Sequence, residues 1–120
     1  MFFKKSPTNQ NFNNHWIHLN ELAQLEDIIT LSYKQNIVIF KHSTRCSISI
    51  MGLKSFERNF DFKNKNYQSY FLDLLSYRNI SNEISNKFNV IHQSPQVLVI
   101  VNGLCNIHAS HESISEMVFS

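Results

Sequence analysis

Short apolar runs alternate along this chain with segments of helical period, and that alternation limits what it can fold into. Ile37-Val38-Ile39-Phe40 is continuous, β-branched and free of polar alternation. A strand of that kind is buried on both faces, which requires helices on both sides of its sheet. Tyr67 to Leu75 and Gln96 to Val101 read as further strands. Leu22, Leu25, Ile28 and Ile29 fall on one helical face, with Asn20 placed to cap it. Ile48, Met51, Phe56 and Phe60 lie near one side of a second helix. Ile80, Ile84 and Phe88 space as a third, with Asn79 as its cap. Asn102-Gly103 is a strong hairpin signal, after which Leu104 to Ala109 returns antiparallel. Ser113 to Glu116 fits a capping box that opens a short last helix. Strands alternating with helices imply a parallel core with right-handed crossovers, and the terminal hairpin adds one antiparallel edge. The expected class is therefore α/β, with helices on both faces of the sheet.

Composition narrows the function. A chain of 120 residues with 42% hydrophobic content is one domain with a real core. Residues 1–14 read as a flexible polar N-terminal arm, and 15–120 as the domain. A net charge of +2 is too small for a nucleic-acid surface, so no nucleic acid is expected as a partner. No apolar run approaches the ~18 residues of a membrane span, so no membrane association is expected. The start, MFFKKSPTNQ, lacks the apolar region of a secretory signal. The two cysteines, Cys46 and Cys105, sit in unrelated patterns and do not suggest a disulfide framework. A reducing, cytoplasmic setting and a monomer are the expectations.

Cys46 is the residue best placed for chemistry. It follows the first buried strand and a short loop, and it opens the second helix. The first amides of a helix have no internal partner and favour a negative charge beside them. A thiolate benefits, and the thiolate is the reactive form. Arg45 is the nearest cation, with Lys41 and His42 further back. Ser49 stands where a Cys-x-x-Cys redox helix carries its second thiol. Serine cannot resolve a mixed disulfide, so a reactive Cys46 acts as a monothiol and needs an outside thiol. Cys105 reads as packing. His92 reads as a loop hydrogen-bonding residue. His108 and His111 are not forced to converge with Cys46 or His92, so no metal is expected.

Three phrases together are recognisable: Phe40-Lys-His-Ser-Thr-Arg-Cys-Ser-Ile-Ser49, His92-Gln-Ser-Pro-Gln-Val97 and Ala109-Ser-His111. From about Trp16 onward the chain resembles the YtxJ family, bacilliredoxin-like monothiol proteins of the bacillithiol system. The resemblance implies a thioredoxin-like three-layer fold, with a mixed central sheet, a C-terminal β-hairpin and helices on both faces. It implies that Cys46 is the catalytic cysteine. It implies a cis peptide at Ser94-Pro95 facing Cys46, with Thr44, Arg45, Ser94 and Pro95 contacting substrate. His42, Ser49 and His92 would support the site. Bacillithiol would be the co-substrate, and bacillithiolated client proteins and a bacillithiol disulfide reductase the partners. Because bacillithiol bears a malate, Arg45 or Lys41 could pair with its carboxylates. Two other readings stay open at this point: a non-catalytic thioredoxin-fold adaptor, and an iron–sulfur carrier like some monothiol glutaredoxins, although Ser-Ile-Ser after Cys46 departs from their Gly-Phe-Ser.

Overall fold

A computed structural model describes residues 15–119; the arm expected over 1–14 lies outside the described residues. The elements are β1 (Ile17–His18), α1 (Gln24–Leu31), β2 (Asn36–His42), α2 (Ser47–Asn59), β3 (Tyr67–Asp73), α3 (Arg78–Phe88), β4 (Gln96–Val101), β5 (Leu104–Ser110) and a C-terminal 3₁₀ helix (His111–Glu116). The sheet order is β1-β3-β2-β4-β5. The Ile37–Phe40 run thus lies in the middle strand, and all four of its side chains are fully buried.

Side chains of a strand alternate between faces, and here the alternation divides the core in two. Ile37 and Ile39 join Tyr70, Leu72, Leu98 and Ile100 against Leu25 and Ile28 of α1 and Ile80, Ile84 and Phe88 of α3. Val38 and Phe40 join Phe71, Val97 and Val99 against Leu53 and Phe56 of α2 and Ile114. Trp16 seals the second face. Its ring centroid lies 5.1 to 6.0 Å from those of Phe40, Phe56, Phe62 and Phe71. Its Nε1–H donates to Glu57 at 2.7 Å. The polar edge of the indole is therefore satisfied while its body is buried.

Sheet direction departs from the parallel core that the strand–helix alternation implied and agrees with the mixed sheet that the family resemblance implied. β1 and β2 both pair parallel with β3, but β4 runs antiparallel to β2 and β5 antiparallel to β4. A strand buried on both faces carries the same apolar pattern in either direction, so sequence patterning could not fix its sense. The Asn102-Gly103 hairpin does form, with φ of 51° and 80° at the two residues. Positive φ at both positions suits the right-handed twist of the flanking strands. The turn is tied to the end of α1 by Asn102 N–H to Ser32 O at 2.9 Å and Gly103 N–H to Ser32 Oγ at 2.8 Å.

The expected helix starts also shift. Asn20 does not cap α1; instead Gln24 Oε1 accepts from the amides of Asn20 (2.8 Å) and Glu21 (2.9 Å). Leu22 precedes α1 and is exposed. Asn79 lies inside α3, whose cap position is Tyr77. The Ser113–Glu116 capping box does not form, because the last helix is 3₁₀ and already begins at His111. On α2 the buried stripe runs through Ser49, Leu53 and Phe56, leaving Ile48 and Met51 exposed. A polar residue holds the innermost first-turn position, for a reason that lies in the site.

Candidate functional site

The loop after β2 brings the chain to Cys46, which occupies the N-cap position of α2 with extended backbone (φ −112°, ψ 117°). Its carbonyl accepts from Ile50 N–H at 3.0 Å, and its amide donates to Ser43 O at 3.2 Å. No side chain caps the helix. The amides that open α2 are thus available to a negative charge near Cys46. Cys46 is a half-exposed free thiol. Thr44 and Arg45, immediately before it, are exposed.

Ser49 holds this turn in place. Its side chain is fully buried. Its Oγ accepts from Ser43 N–H at 3.0 Å and lies 2.8 Å from His42 Nδ1. One hydroxyl therefore joins the end of β2, the start of the Cys46 loop and the first turn of α2. His42 is buried, with its ring against Phe40 and Phe71. Burial pushes its pKa below the ordinary histidine value, and the Asp73 charge works the other way. His42 and Ser49 are buried supports that do not face solvent.

Because β4 is antiparallel to β2, its first residue lies beside the last residues of β2: Gln96 is the register partner of Lys41. The loop entering β4 therefore arrives at the end of the sheet that carries the Cys46 loop. The Ser94–Pro95 peptide in that loop is cis. Pro95 is buried against α2, since a Cβ built on Gly52 would lie 3.6 Å from Pro95 Cγ. Ser94 Oγ is buried and has no hydrogen-bond partner among the described residues. Gln96, itself buried, fixes the loop by donating from Nε2 to Ile91 O at 3.0 Å.

Lys41 is corrected by its surroundings. A role at the surface, pairing with a carboxylate of substrate, does not fit a side chain with no exposed area. It alternates with Phe40 and His42 along β2, so it projects to the α1/α3 face, away from α2. Its Nζ lies near Ser81 O, Ser85 Oγ and His92 Nδ1. This cluster is not legible in the sequence, because a lysine ending an apolar run reads as the chain leaving the core. Cys105 is half-buried on β5 beside the α1/α3 core, and burial raises its thiol pKa. It is not in the Cys46 loop or in the loop before β4. A cleft between Phe56 of α2, Phe60 just after that helix, and Ile114, Met117 and Phe119 lies at the far end of α2 from Cys46. Among the described residues no three His, Cys, Asp or Glu side chains converge, and no helix is long and apolar enough to cross a membrane.

A mixed sheet covered on both faces, a cysteine opening the helix after the central strand and a cis-proline loop packed against that helix define a thioredoxin-fold protein. Solved structures agree. A candidate oxidoreductase with a thioredoxin fold is 30% identical, covers 83% of this chain and 86% of its own, and superposes with a TM-score of 0.72. Thioredoxin from Malassezia sympodialis is 17% identical with a TM-score of 0.65, covering 82% of this chain and 81% of its own. Thioredoxin from Trypanosoma brucei brucei is 14% identical with a TM-score of 0.65, covering 89% and 88% respectively. These last two speak to fold alone. The chain belongs to the family described as monothiol bacilliredoxin BrxC, which it matches over residues 17–118. It is thus a member of a thioredoxin-fold oxidoreductase family.

Proposed function

We propose that this protein is a monothiol thiol–disulfide oxidoreductase that removes bacillithiol from mixed disulfides on client proteins. The observation that carries the reading is the first turn of α2: Cys46 stands at the helix start, and Ser49, three residues on, is a hydroxyl already bonded to Ser43 and close to His42. The Cys46 thiolate attacks the bacillithiol sulfur of the mixed disulfide. The client–bacillithiol S–S bond breaks, a Cys46–bacillithiol S–S bond forms, and the client leaves as a thiolate that takes up a proton. No second thiol on α2 can displace the adduct. An outside bacillithiol thiolate therefore attacks the bound bacillithiol sulfur, releasing Cys46 and forming bacillithiol disulfide, which a separate reductase returns to the thiol. The helix amides favour the Cys46 thiolate as it leaves. In this reading Thr44 and Arg45, which immediately precede Cys46, and the Ser94–Pro95 loop, which packs on α2 at Gly52, contact the incoming disulfide. The expected setting is the cytoplasm, where thiols stay reduced.

The test is transfer from a bacillithiolated client followed by intact mass. Cys46→Ser is expected to carry no adduct, and Cys105→Ser to retain wild-type transfer. Adduct formation on the Cys46→Ser protein would overturn the assignment.

A further inference from the structure

The cluster around Lys41 is not used by the chemistry above. Its ammonium has three hydrogens and no acceptor. Three neutral acceptors surround it: Ser81 O at 3.4 Å, Ser85 Oγ at 3.4 Å and His92 Nδ1 at 3.2 Å. Among the described residues no carboxylate pairs with it. Burial lowers its pKa to about 8, so it remains mainly charged at neutral pH. An unpaired buried ammonium is an expensive way to fill space, which an apolar side chain would fill at less cost.

What the ammonium does is fix a neighbour. A charged lysine only donates, so His92 Nδ1 must accept, and in the neutral ring the proton then resides on Nε2. Ser81 Oγ lies 3.2 Å from the same Nδ1. The groups acting on His92 are burial, then Lys41, then Arg78, and all three lower its pKa. His92 is exposed and lies in the loop that ends in the cis Ser94–Pro95 peptide. That loop is held from beneath by Gln96, the strand partner of Lys41.

We propose that Lys41 is a positioning residue. By donating to His92 Nδ1 it holds His92 as a neutral ring whose Nε2–H is offered to an oxygen acceptor, a carbonyl or carboxylate, on the low-molecular-weight thiol of a mixed disulfide seated at the 91–95 loop. The use of that donor rests on the exchange reaction proposed above; the state of the ring does not.

Two arms test this on the full chain. Long-range ¹H–¹⁵N spectra of histidine-labelled protein report the ring directly. His92 is expected as the Nε2–H tautomer, titrating below its ordinary range, and Lys41→Met is expected to raise that titration and mix the tautomers. A wild-type His92 with its proton on Nδ1, or a tautomer unchanged in Lys41→Met, would overturn the proposal. In the second arm, thiol transfer from a bacillithiolated client is timed. His92→Phe is expected to slow it about tenfold, the worth of one hydrogen bond. His92→Gln, which keeps an N–H donor, is expected to recover most of the rate. Equal rates for the two variants would overturn the donor role even if Lys41→Met fails to fold. Absence of any transfer by wild-type protein would instead refute the exchange reaction, and the spectra would still decide what Lys41 does to His92.

Discussion

Replacing Ser49 by alanine removes one oxygen atom from beneath the Cys46 loop. The side chain is fully buried, so the loss is read in hydrogen bonds, with almost no change in cavity. Two contacts go: Ser43 N–H to Oγ at 3.0 Å, and Oγ to His42 Nδ1 at 2.8 Å. An orphaned buried polar group costs about 1–3 kcal/mol. Ser43 is only half-buried, so water can recover part of its share. Alanine also returns about 0.5 kcal/mol in helix propensity. The expected net loss is about 2 kcal/mol, against a stability of order 6–18 kcal/mol for a chain of this length. The variant should therefore stay folded and melt roughly 6–12 °C lower. Urea unfolding at pH 7, followed by Trp16 fluorescence, measures the loss, and an unchanged slope would assign it to the folded state. Amide exchange at Ser43 should quicken in parallel. A loss below about 0.5 kcal/mol, the scale of an ordinary surface change, would refute the claim that Ser49 clamps this turn.

Three further outcomes follow from the packing and the charges. Gly52→Ala should raise the urea midpoint by about 0.5–1 kcal/mol of stability, because the added methyl meets Pro95 Cγ at an ordinary 3.6 Å; destabilisation would mean that the proline loop sits closer to α2. Burial drops the Lys41 pKa from 10.5 to about 8, so above pH 8 the folded protein binds fewer protons than the unfolded chain and stability rises with pH. The Cys105 thiol, raised by burial, opposes this at higher pH. In a Cys105→Ser background the gain from pH 8 to 9 should be about 1 kcal/mol, and Lys41→Met should abolish it; a flat profile before that substitution would contradict the buried ammonium. On the acid side, burial is the first cause lowering the pKa of His18, His42 and His92. The unfolded chain takes up protons first as pH falls below about 6.5, so the urea midpoint should drop between pH 7 and 5.5; an unchanged midpoint would count against the desolvation of His42, the buried ring among them.

The positions of the strands were legible because burial on both faces leaves a continuous apolar mark, as in Ile37–Phe40 and Gln96–Val101. Their directions were not, since that mark has no polarity, and β4 is reversed for this reason. β1 is only two residues long, too short to carry any period. Cys46 stood out by its place between a buried strand and a helix. Its supports did not, because each is a polar residue in a setting the pattern assigns to apolar ones. Ser49 lies in the buried stripe of α2, and Lys41 lies beneath α3 with only the neutral groups of Ser81, Ser85 and His92 within hydrogen-bond reach. The resemblance flagged His42, Ser49 and His92 as a group. The structure separates them: His42 and Ser49 brace the Cys46 turn from the α2 face, whereas His92 meets Lys41 from the other.

The central claim is that Cys46 takes a low-molecular-weight thiol from a client and keeps it until an outside thiol arrives. Intact mass over time, with reduced wild-type protein mixed with a bacillithiolated client and, in parallel, with a coenzyme A mixed disulfide of the same client, addresses it directly. One bacillithiol should add at Cys46 with release of an equal amount of reduced client, and the adduct should persist until free bacillithiol is supplied. An unmodified protein beside a client that stays bacillithiolated, or an adduct that clears with no added thiol, would contradict it.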